Sequence, residues 1–305
     1  MSDVNQKIIK QLDILRYFIH ENIDADYVYV DIPLYWNIGD WLIAMGAWEL
    51  LKEVPYKCLG KLRWEDYERV NITPDTIIVL QGGGNFGELS RAATDARNEV
   101  IEHYPDNKII ILSQTITYTD TSLLKKDAEI YSKHKNLHIC ARDNESFALA
   151  IEYFKANHVY LLPDTAFGLY PVLPKYRGVK TGITLIINRK DKEADRLFNE
   201  RGIVKDWDDI LHDIHFNIVY TPYRLIRKIR KITAVIGFYN IEHWYTLHVL
   251  YPYVRKHVPR YFLKFDKVCT TRLHGYILAI LMHIPTEIRD TKYHKVLNYT
   301  NTWMQ

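Results

Sequence analysis

Cysteine is scarce: Cys58, Cys140 and Cys269 are the only three in 305 residues, far apart and without a CxxC pair. That argues against a disulfide framework or a cysteine zinc site, and it suits a reducing compartment. His243, His248 and His257 share no metal-ligand spacing with an open carboxylate partner, so no metal is assigned there. Long apolar runs are missing too. Nowhere do 18 apolar residues follow one another, so no segment reads as a membrane-spanning helix. The N-terminus, MSDVNQKIIKQLDILRYFIHENI, carries charge throughout and does not resemble a signal peptide. The expected location is therefore the cytoplasm. An excess of one charge is also lacking: 40 Lys and Arg face 37 Asp and Glu, a formal charge of +3. Nucleic acid is accordingly not expected as a partner. Repeats and low-complexity tracts are absent, and 48% hydrophobic with 25% charged residues describes an ordinary globular chain rather than a disordered one.

What stands out is 23 tyrosines. Aromatic rings with a polar tip suit sugar clefts and wet interfaces, although compositional drift explains the number equally well.

Along the chain, short apolar runs alternate with helical patterns. Strands are expected at 27–33, 76–80, 108–114, 137–141 and 158–162, and helices at 40–52, 92–103, 122–134 and 145–154. Buried strands alternating with helices mean a parallel sheet covered on both faces. Residues 168–182, with Pro171 and Pro174, break the pattern and form the best linker candidate. The alternation then resumes, with strands expected at 182–188, 217–220, 233–237, 268–271 and 286–288, and a helix running through Leu281. The predicted fold is α/β: two doubly wound Rossmann-like domains, 1–170 and 171–305, facing a cleft.

In such sheets ligands lie beyond the carboxyl ends of the strands. After the first strand come Asn37, Gly39 and Asp40, with Asp40 read either as a helix cap or as a cleft base. After the strand at 76–80 comes Gln81-Gly82-Gly83-Gly84-Asn85-Phe86-Gly87-Glu88, where Gly83, Gly84 and Asn85 could let backbone N–H groups approach an anion or a sugar. It is not a Walker A loop, and it equally suits a turn needing positive φ. Arg142 follows the strand at 137–141 as an anion site in outline, or as the partner of Asp143 or Glu145. Asp164 closes the last strand of this half, either as an edge residue or facing the cleft. Arg189, Asp191 and Glu193 read as a solvated loop with local pairing. The sharpest cluster is Thr270-Thr271-Arg272-Leu273-His274-Gly275, between a strand and an apolar helix. Arg272 offers a fork for phosphate or carboxylate, and His274 a proton exchanged near neutral pH, the other reading being a packed structural Arg–His pair. Lys295 could bring a second cation. Residues 223–232 (YRLIRKIRKI) form a basic amphipathic stretch, either a solvated face or a contact for anionic lipid.

Together and in this order these motifs resemble the polysaccharide pyruvyl transferase family. The matching pieces are NIGDWLI from Asn37, QGGGNFGEL from Gln81, ARDNES from Ala141, LPD from Leu162, RKDKE from Arg189, TTRLHG from Thr270, and the tail YHKVLNYTNTW ending at Trp303. The resemblance implies a fold similar to the GT-B glycosyltransferases, with the acceptor on the N-terminal domain and the donor on the C-terminal one. It implies transfer of pyruvyl from phosphoenolpyruvate onto two sugar hydroxyls as a cyclic ketal, releasing phosphate, with no further cofactor. Arg142, Arg272, His274 and Lys295 would hold the donor, His274 would be the acid, and Asp40 a candidate hydroxyl base. The acceptor would be a lipid-linked oligosaccharide, met by peripheral contact with the inner face of the membrane. The chain departs from the family at Ser113-Gln114-Thr115, often Pro-Gln-Ser, and at Glu88, often Asp. A GT-B nucleotide-sugar glycosyltransferase and a non-catalytic carbohydrate-binding protein remain as rival readings.

Overall fold

The computed structural model describes residues 3–178, 181–191, 194, 198, 201–232 and 238–305, with backbone alone at 65, 68, 69, 230–232 and 238–240. The chain forms two compact units. The first comprises Met1–Pro33, Gly46–Leu169 and Leu297–Gln305; the second comprises Leu34–Met45 and Tyr170–Val296.

Unit 1 opens with helix α1 (Asp3–Asn22), which buries Ile8, Leu12, Leu15 and Ile19 along one stripe. Its strands are β1 (Tyr27–Val30), β2 (Cys58–Leu62), β3 (Ile77–Leu80), β4 (Gly83–Gly87), β5 (Ile109–Thr117), β6 (Leu137–Ala141) and β7 (His158–Leu161). They form one parallel sheet in the order β2-β1-β3-β5-β6-β7, with β4 added beside β5. Strands β1, β3 and β6 are buried at every residue, as a sheet covered on both faces requires. Between them run α2 (Ile38–Leu51), α3 (Arg91–His103), α4 (Thr121–Ser132) and α5 (Asn144–Tyr153). Helix α2 is apolar nearly all round and almost wholly buried, and the boundary between the units falls within it, at Met45/Gly46.

Unit 2 carries β8 (Thr184–Ile187), β9 (Ile203–Lys205), β10 (Lys267–Thr270) and β11 (Thr286–Ile288), parallel throughout in the order β11-β10-β8-β9. Its helices are α6 (Trp207–Asp213), α7 (Asn217–Ile232), α8 (Phe238–Tyr245), α9 (Tyr251–Phe262) and α10 (Leu273–Leu281); α11 (Lys295–Trp303) begins here and returns the chain to unit 1.

Two expectations fail. The run 217–220 is not a strand but the first turn of α7, because its apolar residues continue at helical spacing through Leu225 and Ile229. The glycine-rich run is not an open loop either: Gly83 pairs with Gln114 and Gly87 with Thr117 in the sheet. Glycine is nevertheless needed there, since Gly83 has φ 148° and Gly87 φ 111°. The strand expected at 233–237 lies outside the described residues, as does Glu193. The tyrosines divide between roles, and Tyr29, Tyr131, Tyr223 and Tyr299 are fully buried core rather than cleft surface.

Candidate active site

Because β8, β9 and β10 are parallel, their carboxyl ends share one edge of the unit 2 sheet. Three segments leave that edge: Asn188-Arg189-Lys190-Asp191 after β8, Asp206 after β9, and Thr271-Arg272 after β10. The side chains that follow the strands form one charged network.

The turn after β10 is tied down on all sides. The Thr270 hydroxyl accepts from the Arg272 N–H at 2.9 Å and donates to the Arg272 carbonyl at 3.1 Å. Thr271 Oγ1 donates to the Ile187 carbonyl and accepts from the Arg189 N–H at 2.9 Å. Gly275 belongs to the same device: a Cβ there would lie 2.5 Å from Thr270 Oγ1, so a side chain would push α10 off β10. Arg272 takes the cap position of α10, with extended backbone (φ −105°, ψ 127°). Its guanidinium makes two bonds to Asp206, Nε to Oδ1 at 2.5 Å and Nη2 to Oδ2 at 2.7 Å, and Nη2 also reaches Asp191 Oδ2 at 3.2 Å. Burial opposes the charge, yet the Asp206 and Asp191 carboxylates outweigh it and hold this guanidinium more firmly protonated than usual. Nη1 has no hydrogen-bond partner among the described residues.

Asp191 is itself held by two arginines. Arg189 grips it bidentately, Nε to Oδ1 at 3.0 Å and Nη2 to Oδ2 at 2.9 Å. Its Oδ2 therefore sits between the guanidinium groups of Arg189 and Arg272. Asp206 also caps α6, taking the Trp207 N–H in a capping box with Asp209, and accepts from the Lys190 N–H. Sequence reasoning treated Arg189 and Asp191 as local pairing and missed Asp206. The Asp-Trp-Asp-Asp capping pattern at 206–209 was the available signal.

His274 meets the start of α2. A Cβ on Gly39 would lie 2.6 Å from His274 Nδ1 and 3.2 Å from Asn37 Oδ1, so only glycine lets the helix come this close to the imidazole. Asn37, not Asp40, caps this helix: its Oδ1 accepts from the Gly39 N–H at 3.0 Å. Asp40 stands in the first turn, with Oδ2 taking the Asn37 amide at 2.7 Å and the Tyr35 hydroxyl at 2.8 Å. Asn37, Gly39, Asp40 and His274 are thus brought together in unit 2. Lys295, 9% exposed, opens α11 with its Nζ 5.8 Å from the Tyr293 ring centre.

The remaining candidates belong to unit 1. Arg142, 2% exposed, gives Nε to Thr115 Oγ1 at 2.8 Å and Nη1 to Asp164 Oδ2 at 2.9 Å. Its guanidinium pairs with Asp164, not with Asp143 or Glu145, and lies in the interior rather than on an open face. Asp143 instead caps α5. Asn85 accepts from Arg97 Nη2 at 3.0 Å. Glu88 takes Thr119 Oγ1 at 2.5 Å and the N–H groups of Thr119 and Asp120; the Thr119 hydroxyl above all lowers its pKa.

The polysaccharide pyruvyl transferase profile matches residues 37–286, from the Asn37 cap past the Arg272–His274 turn. The chain belongs to the polysaccharide pyruvyl transferase family. It is 33% identical over 308 residues to the Bacillus subtilis (strain 168) protein named "Putative pyruvyl transferase EpsO", covering 100% of this chain and 92% of that one. It is 27% identical over 304 residues to "Pyruvyl transferase 1" of Schizosaccharomyces pombe, covering 90% of this chain and 69% of that one. In fold it is similar to a functionally uncharacterised Klebsiella pneumoniae protein, with a TM-score of 0.54 and 18% identity over 99% of this chain and 94% of that one. As a family member the protein is a transferase, and its activity is pyruvyl transfer in polysaccharide biosynthesis.

Proposed function

We propose that the transferase takes its pyruvyl group from phosphoenolpyruvate and sets it on two hydroxyls of a precursor sugar as a cyclic ketal. The observation that carries this reading is the pairing of Arg272 and His274 in one turn at the sheet edge, with Arg189 behind Arg272 and Asn37–Asp40 beside His274.

Phosphoenolpyruvate bears a phosphate and a carboxylate on one carbon. Two guanidinium groups already share a carboxylate oxygen here, that of Asp191, and so mark a place where an anion is accepted. The Asp191 side chain is 41% exposed, so the donor anion can compete with it for the two guanidinium groups. Asp206 holds the Arg272 fork in place, so little ordering remains to be done on binding. Lys295 is kept as a further cation for the donor.

In the reaction, His274 gives a proton to the methylene carbon, leaving an oxocarbenium centre at the neighbouring carbon. One sugar hydroxyl adds there. Phosphate departs with its charge balanced by Arg272, and the second hydroxyl closes the ketal. Of the two hydroxyl protons, one replaces the proton spent on the methyl group and the other leaves with phosphate. Asp40 is the candidate base. The acceptor is proposed to be a lipid-linked oligosaccharide, met by a cytoplasmic enzyme at the inner face of the membrane.

The groups assigned to the donor anion are guanidinium, ammonium and imidazole, so donor binding is expected to need no metal. Calorimetry of phosphoenolpyruvate binding in the presence of a chelator checks this. Saturable binding that is lost in Arg272→Ala supports the site; binding that appears only with added magnesium contradicts it.

A further inference from the structure

Helix α7 wears its apolar stripe on the outside. A surface helix ordinarily buries that stripe against its own core. Here the inward face is aromatic: Tyr223 is fully buried and bonds Glu242 of α8, while Tyr245 of α8 donates to the Val219 carbonyl. Ile218, Leu225 and Ile229 are 70%, 56% and 43% exposed, and Pro222 between them is exposed as well. Their spacing of four, three and four residues places them on one line along the helix. On one flank of that line stand exposed Lys228 and Arg224, while exposed Arg227 lies on the far side of the helix from it, and residues 217–232 contain no Asp or Glu. Helix α8 adds two more outward apolar residues, Ile241 and Trp244, 47% and 56% exposed.

We propose that the outward face of α7, with Ile241 and Trp244 of α8, docks on an anionic lipid bilayer. An aliphatic line with cations along one flank, and a tryptophan nearby, is the pattern of a helix lying in the membrane interface. Charge selects this occupant over the others. A second copy of the chain meeting this face about a two-fold axis would set basic rows against basic rows. A nucleic acid would answer the cations but leave the aliphatic line uncovered. The surface is independent of the donor chemistry: none of its residues belongs to the network around Arg272 and His274.

The test is flotation of the full chain with vesicles of phosphatidylcholine mixed with phosphatidylglycerol, beside vesicles of phosphatidylcholine alone. Binding is expected to the mixed vesicles and to weaken in high salt. Each basic residue near the bilayer contributes roughly fivefold to partition, so Arg224→Gln and Lys228→Gln together should reduce it about 25-fold. Ile218→Ser with Leu225→Ser should reduce it about tenfold or more without changing the charge. Tyr17→Ser, an exposed aromatic on α1, should change nothing. All these positions are exposed, and calorimetric binding of phosphoenolpyruvate in solution should survive every variant, which separates failure of this proposal from failure of the donor site. Equal flotation on both vesicle types, or flotation unmoved by either set of changes, overturns the proposal. So does a dimer in solution that Ile218→Ser dissolves, since the face would then belong to a second copy.

Discussion

Gly39 is a place where one methyl group decides the position of the His274 ring. Its missing Cβ leaves room for the His274 ring, and Ala is otherwise the better helix residue by about 1 kcal/mol. Gly39→Ala should therefore leave urea stability close to the parent's while displacing the imidazole, and a misplacement of that size costs turnover on the order of 100-fold. Phosphate release measured beside the urea midpoint checks both; parental turnover would mean that His274 needs no such fit. A second residue bears on pH. His138 is buried, bonded to Tyr160 and Asn136, with its ring near that of His158. Desolvation first, and the neighbouring imidazole second, push its pKa from 6.5 down to about 4. The unfolded chain then takes up a proton that the folded chain refuses. The stability His138 contributes is whole above about 6.5 and is lost as the pH falls towards about 4. Urea midpoints at neutral pH and near pH 5 should differ less in His138→Gln than in the parent, and an equal loss in both would assign the acid sensitivity elsewhere.

At the scale of elements, the sequence was most readable where burial is complete. Strands such as β3 and β6 are short apolar runs because both faces of the sheet are covered, and both were placed to within a residue. It was least readable where a local pattern has two solutions. Asn-Ile-Val-Tyr at 217–220 suits a strand by composition, and only its continuation makes it a helix. Gly83 to Gly87 has no strand propensity and is a strand because β5 pairs with it. Helix α11 shows how tertiary contacts decide the rest. Its Tyr299 hydroxyl donates to Gln11 Oε1 at 2.6 Å and accepts the Asp164 N–H at 3.2 Å, joining residues that no sequence window contains. Tyr299→Phe keeps the ring and removes both bonds, leaving buried polar groups unpaired. A loss of about 1–3 kcal/mol is expected from urea unfolding; an unchanged midpoint would show that these bonds hold nothing.

For the molecule as a whole, the charged turn was legible and its partners were not. Thr270 to Gly275 stands out because it puts Arg and His together in one turn between a strand and an apolar helix, where a helix N-terminus favours an anion. Asp206 and Asp191, which position Arg272, come from two other strand ends, and only the sheet brings the three together. Arg142, a weaker anion candidate in sequence, pairs with Asp164 inside unit 1. The central claim is that Arg272 and His274 divide the work, one holding the donor and the other moving the proton. Donor affinity by calorimetry and turnover by phosphate release, on the same two variants, test it directly. Arg272→Ala should lose affinity and turnover together. His274→Ala should keep near-parental affinity while turnover falls by roughly 10²- to 10⁴-fold. A His274→Ala enzyme that turns over normally once saturated with phosphoenolpyruvate would contradict the account.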